Sequence, residues 1–76
     1  MENERRKKLE AIETKLEIIE EAIQEVIDET KKSADNIPEI LKKSEKGERI
    51  QEIIRDLENC FRSIENIEVY VHSCID

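Results

Sequence analysis

Apolar residues in this chain recur at alternating steps of three and four, in two separate runs. Leu9, Ile12, Leu16, Ile19, Ile23 and Val26 form the first run, and Ile50, Ile53, Leu57, Cys60, Ile64, Ile67, Val71 and Cys74 form the second. Steps of this kind follow the turn of an α-helix, so each run is one stripe of a helix. Two such stripes bury each other along a common seam. The pattern constrains the fold strongly and says little about function, because no catalytic, metal or nucleotide motif accompanies it.

Between the runs the rhythm breaks. The first helix is expected over residues 3–32, rich in strong helix formers, free of glycine and proline, and ending in Lys31 and Lys32 where a helix C-terminus favours positive charge. Asn36 can cap a short helix over 37–43, with Glu39 three residues on and Pro38 tolerated in its first turn. Ile37, Ile40 and Leu41 give that helix an apolar face. Gly47, the only glycine, marks a turn over 44–47, and the last helix is expected over 48–74. A long, a short and a long helix make one all-α domain, an antiparallel, coiled-coil-like hairpin. The register follows from the ladders. Leu9 with Cys74, Ile12 with Val71, Leu16 with Ile67, Ile19 with Ile64, Ile23 with Cys60 and Val26 with Leu57 all share one sum of residue numbers, which makes both cysteines layer residues.

The apolar faces are wider than that seam needs. Ile54, Phe61 and Ile75 run beside the second ladder, and Ile18, Ala22 and Ile27 flank the first. A lone hairpin would leave them wet, at ~25 cal/mol per Å² of apolar area left unburied, and a 76-residue chain has little core to offset the loss. A homodimer in which two hairpins form a four-helix bundle is therefore expected, with Ile54, Phe61, Ile75, Ile18 and Ile27 at the oligomer interface.

Charge offers a second surface. The chain carries 20 acidic and 13 basic residues, a net charge of −7. Glu13, Glu17, Glu21, Glu25 and Glu29 stand four apart, where like charges are helix neighbours that destabilise by ~0.2–0.5 kcal/mol per pair. The plain reading is a solvated outer face partly neutralised by Lys15, Arg55 and Arg62; the functional one is a docking strip for a basic partner surface. Arg5, Arg6, Lys7 and Lys8 cluster at one end of the chain, and Lys42, Lys43, Lys46 and Arg49 surround the tip. The acidic balance and the scarcity of stacking aromatics argue against nucleic acid. Arg5, Arg6, Lys42 and Lys46 could still hold a small anion, such as a nucleotide, if subunits bring them together.

Reactive chemistry is thin. His72 and Cys74 lie two apart and point to different helix faces, with no further ligands spaced to complete a zinc site. Cys60 and Cys74, ~21 Å apart along one helix at ~1.5 Å per residue, are too distant to bridge. No catalytic, metal or cofactor residue is assigned. Met1 is followed by charged residues rather than an apolar segment, and no run is long enough to cross a membrane, so a cytoplasmic protein with free thiols is expected. The expected function is non-enzymatic: a homo-oligomeric helical bundle that binds and modulates, by inhibition, a partner protein through the acidic strip or the residual apolar stripe. Two alternatives stand beside it, an oligomeric sponge for a small anion and a phage-type inhibitor of a host protein. The second fits the small stand-alone format and a lysine, glutamate and isoleucine bias typical of AT-rich bacterial or phage genomes.

Overall fold

The computed structural model describes residues 2–75. Helix α1 spans Glu2–Asp35, a single 3₁₀ turn spans Glu39–Leu41, and helix α2 spans Glu45–Ile75. The two long helices pack against each other as an antiparallel hairpin, with Cα extents of 61 × 15 × 12 Å. No helix among the described residues is long and apolar enough to cross a membrane.

Both long helices run further than expected, for local reasons. Acidic Glu2 and Glu4 sit in the first turn of α1, where they favour the helix N-terminus. Asn36 does not cap a new helix. Its backbone N–H instead donates to the Lys32 carbonyl at 3.2 Å, extending the α1 hydrogen-bond ladder, and the expected short helix contracts to one turn entered from Pro38 without a side-chain cap. The second helix starts early because Ser44 closes its open end. The Glu48 N–H donates to the Ser44 carbonyl at 2.9 Å, and the Gly47 N–H reaches the Ser44 hydroxyl at 3.4 Å.

Gly47 is thus helical rather than part of a turn, and it is buried. A Cβ at this position would run into the carbonyl groups of Lys42 and Leu41. Glycine is required here because the first turn of α2 sits directly against the backbone of the connecting loop.

The seam differs from the expected one. Side chains turned inward are Leu9, Glu13, Leu16, Glu20, Ile23, Ile27, Thr30 and Ala34 from α1, and Ile50, Ile54, Leu57, Phe61, Ile64, Glu68, Val71 and Ile75 from α2. Ile27, at 3% exposure, is the most enclosed, and Leu16, Ala34 and Ile54 complete the buried apolar set. Ile54, Phe61, Ile75 and Ile27, expected at an oligomer interface, therefore lie inside the hairpin. Ile12, Ile19, Val26 and Ile67, expected as seam layers, are 42–45% exposed, and Cys60 and Cys74 are exposed free thiols. Across the seam Glu13 faces His72, and Glu20 faces Glu68.

Each helix carries a central apolar column and two flanks, the flank that holds Ile27 being interrupted by Glu13 and Glu20 and the flank that holds Phe61 by Glu68. Leu9, Leu16 and Ile23, with Ile50, Leu57, Ile64 and Val71, form the central column and serve either seam. The structure completes it with the flank that holds Phe61, Ile54 and Ile27, whose large side chains bury more apolar area than Cys60 and Val26 could. The selection requires rotating each helix by roughly 50° about its axis, at 100° per residue. It also draws Glu13, Glu20 and Glu68 into the seam.

Candidate interaction surfaces

This rotation gives the hairpin two unlike broad faces. On one lie Ile12, Ile19 and Val26 from α1 and Cys60, Ile67 and Cys74 from α2, with half-buried Ile53 at the loop end. Each row repeats at seven residues, and in an antiparallel pair columns equally displaced from the seam fall on the same side. The face is therefore one continuous apolar strip along the rod. Ile18, a residue assigned to the oligomer interface, is exposed but sits off this strip on the outer side of α1.

The opposite face is polar and grooved. Gln24, Lys31, Glu58, Arg62 and Glu65 border one depression above Ile27 and Phe61. Lys31 and Glu58 pair across it at 3.8 Å between half-exposed side chains, a geometry worth at most about 1 kcal/mol. Nearer the chain termini, Glu13, Glu20, Glu65, Glu68, Val69 and His72 border a second groove of about 430 Å³. The His72 Nδ1 and a Glu13 carboxylate oxygen lie 3.0 Å apart there, so His72 is engaged by Glu13 rather than by Cys74.

Glu68 is the most perturbed group of this face. A hydrogen bond with Glu20 raises its pKa to about 7, with partial desolvation and the charges of Glu20, Glu17 and Glu65 adding to the shift. Its Oε1 atom is closed off from solvent without a hydrogen-bond partner. Two carboxyls pressed together favour the state in which one keeps its proton. This cluster was not read from the sequence, although the signal is visible once the correct flank is known: Glu13 and Glu20 stand seven apart in the column that also holds Ile27, and Glu68 stands seven beyond Phe61. Among the described residues, no group of three or more His, Cys, Asp or Glu side chains is arranged to hold a metal ion.

The glutamate row of α1 divides between these surroundings. Successive four-residue steps advance 40° around the helix, so Glu13 to Glu29 covers roughly 160°. Glu13 is half-buried at the seam, whereas Glu17, Glu21, Glu25 and Glu29 are exposed and wind around the outside. The row is a helical band rather than a flat strip. The two basic clusters are far apart within one chain. Arg5 and Arg6 stand at the open end, where Arg6 pairs with Glu10 at 3.4 Å, and Lys42 and Lys46 stand at the tip, where Lys42 pairs with Glu39 at 3.8 Å. Lys46 borders an apolar notch of about 560 Å³ with Ile37, Pro38, Leu41 and Ile50, beside the 88% exposed Ile40.

Compared with protein-family models, curated proteins and solved structures, the chain has no significant match.

Proposed function

We infer that this chain is a non-enzymatic protein-interaction module, a helical bundle subunit that assembles through its apolar face and binds and modulates a partner protein through its acidic one. The carrying observation is the division of the hairpin into a continuous apolar strip and a carboxylate-rich opposite face. An elongated rod with shallow grooves lacks the enclosed pocket in which a nucleophile and base could work. The exposed members of the glutamate band, Glu17, Glu21 and Glu25, together with Glu65, give the second face the charge to attract a basic surface and set its orientation. Inhibition of the bound partner suits such a module, since covering a surface requires no chemistry.

The test is capture from the native host with the unmodified chain and with the triple reversal Glu17→Lys, Glu21→Lys and Glu25→Lys. A protein retained by the first and lost by the second, with helix content unchanged by circular dichroism, supports the reading. Equal retention by both removes the acidic face as the binding surface.

A further inference from the structure

We propose that a second copy of this chain covers the apolar strip, the two hairpins lying face to face with their tips at opposite ends as a four-helix bundle. This rests on the interaction-module reading and names the first occupant of its apolar face.

Surface area is the first argument. The chain exposes 6363 Å², whereas a compact monomer of its 9.0 kDa mass would expose about 4,900 Å². The excess of roughly 1,500 Å² exceeds the ~800 Å² per partner that a standard interface buries. Among the described residues no side chain falls below 2% exposure, so the hairpin alone lacks a fully enclosed core. Column pattern is the second argument. A helix with one neighbour needs an apolar sector one seam wide, whereas a bundle helix with two neighbours needs a wider one. Both helices here have three columns. The central column and one flank face the sister helix, which leaves the other flank for a second neighbour. Placing Ile19 against Val26 and Ile67 against Cys60 of the second copy would also enclose the central Leu16 and Ile64.

Charge selects self-pairing and its direction. Helical spacing sets Lys15, Ala22 and Glu29 along the outer edge of the strip on α1. Reversing one hairpin end to end about Ala22 brings Lys15 of each copy beside Glu29 of the other, and the small Ala22 side chains let the two helices approach at the centre. Placing both tips at the same end would instead bring Glu29 near Asp56 of the facing helix, a like-charge meeting. The same patch thus complements itself under a two-fold axis, as an isologous dimer requires.

The experiment is sedimentation of the full chain under reducing conditions from about 1 µM to about 100 µM, spanning the weak end of the affinities that standard-size interfaces show. Twice the chain mass is expected. A monomer throughout, or an assembly larger than two, overturns the proposal. Ile19→Glu with Ile67→Glu should weaken association at least about tenfold per buried glutamate, while Ile18→Glu, off the strip, leaves it unchanged; a dimer that survives the double variant refutes this face. Should that variant lose its helix content, the unmodified chain still decides. Alkylation of Cys60 and Cys74 by iodoacetamide should slow as protein concentration rises through the association range, and a concentration-independent rate overturns the proposal. Lys15→Glu should weaken the dimer and Lys15→Glu with Glu29→Lys should restore it; no restoration rules out the opposite-end arrangement. A monomer that still captures its partner defeats the dimer and leaves the interaction reading standing. An intact dimer that captures nothing does the reverse.

Discussion

The loop-proximal and open halves of the hairpin are built from the same repeat and packed very differently. Toward the loop, Ile27, Ala34, Gly47 and Ile54 are buried, and Phe61 fills the seam beside them. Toward the termini Leu16 alone is buried among the described residues, and the seam admits Glu13, Glu20 and Glu68. The first half is held by close packing and a backbone approach that only glycine allows. In the second, carboxyls occupy positions where apolar side chains would have packed, and the contact with Glu20 favours the protonated form of Glu68. Local stability should follow this gradient, with the open end fraying first.

The largest effect that would test this contrast is at Ile27. Truncating it to alanine should cost ~2–5 kcal/mol, read as a fall in Tm at fixed protein concentration, whereas Ile18→Ala should be nearly silent. Equal losses at the two sites would contradict the seam described here. Gly47→Ala comes next. The added methyl must displace the Lys42 and Leu41 carbonyls, at a cost of about 1–3 kcal/mol, and chemical denaturation should show it. In the open half the sign reverses: Glu68→Leu replaces a carboxyl repelled by Glu20 with an apolar side chain and should raise Tm at neutral pH.

Proton linkage probes the same site without mutation. Glu68 holds its proton up to about pH 7 in the folded chain, against 4.5 for a free carboxyl. Between these values the folded state binds more protons than the unfolded one, so stability falls as pH rises. The contribution is fully present below about pH 4.5 and lost above about pH 7. Thermal melts from pH 5 to pH 8 should therefore show a falling Tm, and Glu68→Gln should flatten that slope. An unchanged slope in the variant would refute the assignment of the linkage to Glu68. The smallest effect is expected at Lys31→Ala, which removes the exposed pair with Glu58 and should change stability by less than about 1 kcal/mol.

Much of the fold is legible from residue spacing. Two helices, the break between them and their antiparallel return follow from the ladders and from the placement of Pro38 and Gly47. Helix ends are less legible, because the Asn36 to Glu39 stretch carries a capping pattern, whereas the Asn36 N–H extends the α1 ladder to Lys32 and the turn after Pro38 has no side-chain cap. The candidate surfaces were legible as a class, a leftover apolar stripe and a glutamate row, but not in their membership. Spacing places Phe61 and Ile54 outward and Ile19, Cys60 and Ile67 inward, whereas in the structure the first two pack inward and the other three are exposed. Glu20 and Glu68 gave no sign of meeting until the flank was fixed.

The sequence by itself determined that each helix has a broad apolar sector, because a seven-residue spacing places side chains in columns whatever they pack against. Which pair of columns closes the hairpin was decided only in the tertiary structure. A central column with an apolar flank on either side is compatible with two seams, and periodicity is the same in both. Side-chain volume at Phe61, Ile54 and Ile27 and the close approach of Gly47 to the loop favour one of them. The other flank is thereby left outside as a surface available for assembly.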